Sequence, residues 1–569
     1  MRVDRNLPVV AADGTTLLVD HVHPIGPSRG VVVWIRTPYG RGQMASTAKR
    51  FARRGADVLI EAARGTDGSG GAFDGLDHDP ADAPAVLGWL RAQAWFPGVI
   101  VTWGLSAIGR ACWSLAGVEI PEWRLAILQD TPSELRDGLV FPGGVFAGAV
   151  VLGFVHTVEW QADHPGASLL RGMVASVRGA RRSKRVLAEL PLGTADERLT
   201  GRRSAQFQEW LAREGDDAYW ERLDLRAGAP GMPGLVHLAT GWHDFCLSST
   251  LADYAALRAA GTRVRLVVGP WYHGRGAVDR AHRHDVDAWV DAATRGTDPP
   301  EGAPVRVHVG GADEWRDLPE WPPPGHPPVD WHLHPGGGLS TDPAPESPPD
   351  RYRYDPADPT PALGGAVENW DGTAGAKDNR TLEARPDVLT FTSAPLRADL
   401  DVIGPVTATV HLRSTLDHTD LVLRLCDVAP NGRSTNLCDG ARRLRPGDPP
   451  ANPDGARVVR VDLTATAHRF RAGHRLRVQV SSGAHPRLVR NTGTGEPQAT
   501  ATTTRPADQE ILHDPAHPSV LTLPTAATAE DPPAARDRGQ PMCRRNRRSS
   551  RPDAGSRSTS SVPTQPARS

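Results

Sequence analysis

The sequence predicts an α/β domain on a mostly parallel sheet, interrupted by a helical insertion and followed by an all-β sandwich. Three observations carry this. Apolar strand runs alternate with helical runs to about residue 130 and resume over 232–325, the pattern of a parallel sheet covered on both faces. Over 131–231 strand runs become rare and helical ones dominate. Beyond the proline-rich stretch LPEWPPPGHPPVDW, short alternating strands separated by turn residues run from 326 to 525.

In chain order, TLLVDHVHP, VVVWIRTPY and DVLIEAARG read as strands, and PADAPAVLGWLRAQ as a helix with apolar residues about 3.6 apart. VIVTWG is a strand, SAIGRACWSLAG a helix and RLAILQ a strand. In the insertion, ASLLRGMVASVRGARRSKRVLAEL and SAQFQEWLAREGDDAYWERL read as helical. GLVHLATGW, STLADYAALRAAG, RVRLVVGPW, HDVDAWVDAATRG and PVRVHVGG restore the alternation. PVTATVHLRS, LVLRLCDVAP, ARVVRVDLTATAHRF and HRLRVQVSS are sandwich strands. From 526 to 569 aliphatic residues nearly vanish, which predicts a disordered, solvated tail, including the basic cluster Arg544, Arg545, Arg547 and Arg548.

Composition narrows the function classes. The 569 residues exceed what one hydrophobic core organises. With 39% hydrophobic and 23% charged residues, no apolar run nears the ~18 that a membrane span needs. MRVDRNLPVVAADG carries charges where an export leader needs an apolar core, so a cytoplasmic protein is expected. Cys112, Cys246, Cys426, Cys438 and Cys543 show no paired spacing, which argues against disulfides and zinc. A net charge of −1 favours neither nucleic acid nor an anionic membrane as partner. Oligomeric state, a homodimer included, is left open.

Chemistry centres on Val99-Ile-Val-Thr-Trp-Gly-Leu-Ser106, a strand that turns sharply into a helix. A nucleophilic serine needs a base, and the base needs an orienting carboxylate. Ser106 follows VIVTWG, Asp244 follows LVHLATGW and His273 follows VRLVVGPWY, each at the carboxyl end of a strand, where open α/β sheets place their sites. The stretch departs from G-x-S-x-G: Ile108 stands two after the serine and Gly109 three after. A bare G-x-S-x-x-G is expected by chance in about one such chain in four, so the weight rests on three residue types in order after three strands.

The chain resembles the cocaine esterase and X-prolyl dipeptidyl-peptidase family of serine hydrolases, over about residues 8–523. Arg36-Thr37-Pro38-Tyr39 matches a family strand end, Gly104-Leu105-Ser106-Ala107-Ile108-Gly109 its G-x-S-Y-x-G, Gly241-Trp242-His243-Asp244 its G-W-x-D, and Gly269-Pro270-Trp271-Tyr272-His273 its G-P-W-x-H. In the β domain, DEWRDLPEW, YDPADPTPALGG, NLCDGARRLR, FRAGHRLRVQVSS and HPRLVRNTGTG also look like family segments. The resemblance implies an α/β-hydrolase domain with an inserted helical cap and a C-terminal jelly roll. It implies a Ser106–His273–Asp244 triad without cofactor or metal, and an oxyanion held by the Tyr39 hydroxyl and the Ala107 N–H. Ala107 stands where the family has tyrosine, and Ala62-Ala63-Arg64-Gly65-Thr66-Asp67-Gly68-Ser69 departs from its D-x-R-G-x-G-x-S.

Trp160, Phe245 and Cys246 are candidate pocket residues; the cap residues Trp210 and Trp220 are candidates too, and for Trp160, Trp210 and Trp220 a place in the cap core fits at least as well. His282 and His284 form an H-x-H beside Asp285 and Asp287, read as a solvated helix end rather than a metal site. The expected activity is hydrolysis of a small-molecule ester or amide. X-Pro dipeptidyl-peptidase and α-amino-acid ester hydrolase remain alternatives. Ester is favoured because no dedicated acidic pair for a substrate ammonium is visible. A non-catalytic binding protein on the same fold is the alternative of another class, and the intact triad argues against it.

Overall fold

Strands buried on both faces need continuous apolar runs, and the centre of the first sheet shows this. The computed structural model describes residues 2–73, 75, 79–164, 167, 169–367 and 372–526. The expected tail, with Cys543 and the arginine cluster, lies outside the described residues.

Ten strands form the first sheet: β1 (Val3–Val10), β2 (Thr16–Val22), β3 (Val32–Thr37), β4 (Asp57–Ala62), β5 (Ile100–Leu105), β6 (Trp123–Gln129), β7 (Leu235–His243), β8 (Arg263–Tyr272), β9 (Val305–Val309) and β10 (Glu314–Leu318). Their order is β1-β2-β4-β3-β5-β6-β7-β8-β9-β10. β3 to β9 are parallel, while β1 and β2 at one edge and β10 at the other are antiparallel. All six residues of β3 and of β4 are buried. Inside them, Arg36 binds Glu61 at 3.0 and 3.2 Å, and the Trp34 indole donates to the same carboxylate at 2.9 Å. A buried ion pair of this kind requires its hydrogen bonds to be complete.

Helices α1 (Ala45–Arg53) and α2 (Asp79–Arg91) precede β5, and α3 (Ala107–Trp113) follows it. Between β6 and β7 lie α4 (Gly148–Asp163), α5 (Leu169–Leu187), α6 (Ala195–Thr200), α7 (Ala205–Ala212) and α8 (Asp217–Arg222). α9 (Leu247–Ala259) and α10 (Arg280–Arg295) return to the sheet. Phe51 of α1 and Val286, Trp289 and Val290 of α10 pack on one face; Val86 and Leu90 of α2, with Tyr254 and Leu257 of α9, pack on the other.

Eleven further strands, β11 (Pro328–His334) to β21 (Val520–Pro524), make the C-terminal all-β jelly roll around Phe391, Phe470, Val478 and Leu523. It meets the first sheet where Gly310 N–H donates to Ala467 and Arg316 pairs with Asp401 at 3.0 Å.

Three local expectations need correction. Residues 204–223 are two helices, because Asp216, next to Gly215, accepts from Tyr219 N–H and caps a new helix. The segment Glu314–Leu318 of DEWRDLPEW belongs to the first sheet, as β10 paired with β9. His282 is not solvated: it is buried on the sheet face of α10, hydrogen-bonded to Gln129, while His284 is exposed. Among the described residues, no helix is long and apolar enough to cross a membrane.

Candidate active site

The strand ends of β3, β5, β6, β7 and β8 converge, and each delivers a polar group. Ser106 sits between β5 and α3 at φ 58°, ψ −128°, a conformation that non-glycine residues rarely hold. The turn is tied down from both sides: Ser106 N–H donates to Gln129 of β6 at 2.9 Å, and the Ser106 carbonyl accepts from Gly109 and Arg110 at 2.9 and 3.1 Å. The side chain makes no capping hydrogen bond, so the plain N-cap role is not the one it plays.

Asp244 directly follows β7, its side chain fully buried. Its Oδ2 meets Nδ1 of His273 at 2.9 Å, and its Oδ1 accepts from Cys246 N–H at 2.5 Å. A proton on Nδ1, directed at Asp244, leaves Nε2 as the imidazole's acceptor. The Phe245 ring stacks on His273, with centroids 4.1 Å apart at 22°. That contact fixes the imidazole plane.

Ser106, Ala107, His273 and Tyr39 open on one cavity of about 880 Å³. Tyr39 is half-buried, its N–H on Thr37 Oγ1 at 3.1 Å and its ring edge-on to Phe154 at 6.4 Å. Ala107 and Tyr39 pack together with Ala63 and Phe73. Arg41 N–H is held by Asp67 of the divergent loop at 2.8 Å, and Ser69 of that loop bonds Ala62 and Leu18.

Of the candidate pocket residues, Trp160, Trp210 and Phe245 line the cavity. Cys246 does not: it is fully buried behind Asp244, and burial beside that carboxylate pushes its thiol pKa up. The turn closed by Asp244 N–H on Gly241 directs residue 246 inward. Trp220 packs in the cap core against Phe141 and Tyr219.

Sequence reasoning missed Asp130, the residue after β6. It is 2% exposed, has φ 49°, and its Oδ2 accepts from Gly274 N–H at 2.8 Å. The available signal was a carboxylate at the end of the strand beside the nucleophile strand.

Two family models match the chain. One, described as X-Pro dipeptidyl-peptidase (S15 family), covers residues 13–275, and the other, the X-Pro dipeptidyl-peptidase C-terminal non-catalytic domain, covers 299–522. Cocaine esterase of Rhodococcus sp. (strain MB1 Bresler) is 32% identical, over 92% of this chain and 98% of its own. An α-amino acid ester hydrolase structure superposes with a TM-score of 0.78 at 21% identity, covering 92% of this chain and 96% of the other. An aminopeptidase from a marine sediment Thaumarchaeota archaeon gives 0.77 at 20% identity, with the same 92% and 96% coverage. These two structural likenesses speak to the fold.

Proposed function

This chain belongs to the family of cocaine esterase and the X-Pro dipeptidyl-peptidases, serine hydrolases, and from that premise we propose that it cleaves an ester or amide acyl bond through Ser106, His273 and Asp244, with an ester favoured. Ser106 Oγ attacks the carbonyl carbon as His273 Nε2 takes its proton. The tetrahedral intermediate collapses to an acyl-enzyme, and the same proton passes to the leaving group. Water, activated by His273, then releases the acid. Asp244 holds the tautomer and stabilises the imidazolium. The Tyr39 hydroxyl and the Ala107 N–H donate to the oxyanion. The supporting observation is that a strained serine turn and an Asp244-held histidine open on the same cavity.

The cavity wall also speaks to the substrate. Leu135, Leu139, Val150, Phe154, Trp210 and Phe245 offer an apolar, aromatic surface suited to an apolar acyl group. A peptidase acting on a free amino terminus must pair an ammonium. Among the described lining residues the only carboxylate is Asp287, already engaged by Arg50 and Arg54. The test is labelling of the folded protein by a fluorophosphonate, with Ser106→Ala as control, followed by a panel of activated esters and aminoacyl amides. Labelling lost in the variant and turnover of apolar esters are expected. Equal labelling of the variant overturns the reading, and turnover of aminoacyl amides alone overturns the preference for an ester.

A further inference from the structure

We propose that Asp130 is a positioning residue for this reaction, its carboxyl holding the backbone beside His273. The inference rests on the Ser106–His273–Asp244 reading above. β6 ends at Gln129, yet Asp130 continues its pairing with β7, its N–H donating to Ala239 at 2.8 Å. The left-handed φ of 49° turns the side chain toward the ends of β7 and β8. There Oδ2 accepts from Gly274 N–H at 2.8 Å, and the carboxyl faces Asp244. One side chain from β6 therefore holds the loop that carries the base and faces the loop that carries the acid. Asp130 does not line the cavity, so it reaches substrate only through these neighbours.

Two carboxyls can share a hydrogen bond only if one keeps its proton. The groups facing Asp130 are Asp244 and Cys246 after β7, and His273 and Gly274 after β8. Burial, then the neighbouring Asp244, raises the Asp130 pKa well above the usual carboxylate range, while His273 pulls it down. Asp244 already meets Nδ1 of His273 and accepts from Cys246 N–H, so both of its oxygens are engaged. On this proposal Asp130 keeps its proton and turns it toward Asp244, while its Oδ2 accepts from Gly274. As a neutral donor it spreads the charge of Asp244 and sets how strongly that charge favours the imidazolium.

The test compares wild type, Asp130→Asn and Asp130→Ala on one activated ester, recording kcat, KM and the midpoint of the acid limb of kcat/KM. An amide reproduces the neutral acid, with a donor toward Asp244 and an acceptor toward Gly274. Asp130→Asn is expected to keep kcat within about threefold and leave the midpoint in place. Asp130→Ala removes a hydrogen bond to a charged group and is expected to lose about 10- to 100-fold in kcat with little change in KM. Its acid-limb midpoint is expected to move up by about half a unit or more, because Asp244 then presents its full charge to His273. An alanine variant that loses kcat with its midpoint unmoved would assign Asp130 a structural role only and overturn the proposal, as would one that matches wild type. Should the alanine variant not fold, Asp130→Asn decides alone. A midpoint shifted downward would mean that wild-type Asp130 is ionised, which also overturns the proposal. Failure of wild type to label with a fluorophosphonate would remove the underlying reading as well, so the two failures are distinguishable.

Discussion

Gly104 and Gly109 lie back to back across the turn that lifts Ser106: a Cβ on Gly104 would fall 2.3 Å from Gly109 Cα and 2.5 Å from the Ile108 carbonyl. This contact accounts for a glycine three residues after the serine. Ile108, at the usual glycine position, instead turns into the sheet core with Val33, Ile35 and Val101. Gly104→Ala meets backbone atoms that cannot swing away, and overpacking of this kind costs about 1–3 kcal/mol or more. A lowered thermal midpoint and at least tenfold loss of kcat are expected. Gly109→Ala meets Thr131 Oγ1 at 2.0 Å, a side-chain atom. Adding Thr131→Ala should therefore recover part of the loss, and strict additivity of the two changes would count against this account.

Ser106 carries backbone strain without a capping bond. Ser106→Ala and Ser106→Gly both remove the hydroxyl, but only glycine accepts φ 58°, ψ −128° without cost. Both variants should be inactive and folded, with the glycine variant the more stable by about 1 kcal/mol, after its larger unfolded-state entropy is subtracted from the relieved strain. Thermal melts of the two proteins side by side measure this. An alanine variant that melts at or above the glycine variant would show that the turn is not strained.

Residue order and strand ends singled out Ser106, Asp244 and His273 as candidates that the fold places near one another, because a parallel sheet presents successive strand ends on one edge whatever the details of packing. The same logic did not reach Asp130. A carboxylate after a strand is usually a turn former, and only the approach of β7 and β8 gives this one partners. Cys246 was misplaced for a related reason. The family resemblance put the residue two after Asp244 in the cavity wall, but the tight turn on Gly241 buries the thiol instead. His282 looked solvated because its neighbours in sequence are charged. Helical periodicity aligns it with Val286 and Trp289 on the buried face of α10. The family resemblance alone indicated Tyr39, since a tyrosine after a strand has no sequence signal of its own.

Asp253 ties stability to pH in a direction opposite to that of an ordinary salt-bridged carboxylate. It is 1% exposed in α9, accepts from Ser133, and burial pushes its pKa up to about 8. The unfolded chain releases this proton near pH 4, whereas the folded protein keeps it to about 8. Between these values the folded state binds more protons, so stability falls as pH rises, by at most about 1.4 kcal/mol per unit. Asp253→Asn keeps the shape and removes the titration. The advantage of the variant over wild type should therefore grow from pH 5 to pH 8, read as the difference in thermal midpoint at each pH. Parallel curves would show that Asp253 is ionised in the folded protein.

Tyr39→Phe separates an oxyanion donor from a packing residue, because it removes one oxygen and keeps the ring. The ring is held by its edge contact with Phe154 and by the Tyr39 N–H bond to Thr37, neither of which needs the hydroxyl. If the hydroxyl only packs or meets water, kcat should stay within about threefold of wild type. If it donates to the oxyanion, the bond strengthens as charge develops on the carbonyl oxygen, and the loss falls on the transition state. Losing one such donor costs about 2.7–4 kcal/mol, or ~10²–10³ in kcat, with KM little changed. The Ala107 N–H remains in the variant, so activity should drop without vanishing and fluorophosphonate labelling should slow rather than stop. Measuring kcat and KM on one activated ester, with acylation shown to be rate-limiting, decides it. A large rise in KM at unchanged kcat would place the hydroxyl in ground-state binding and take Tyr39 out of the oxyanion hole.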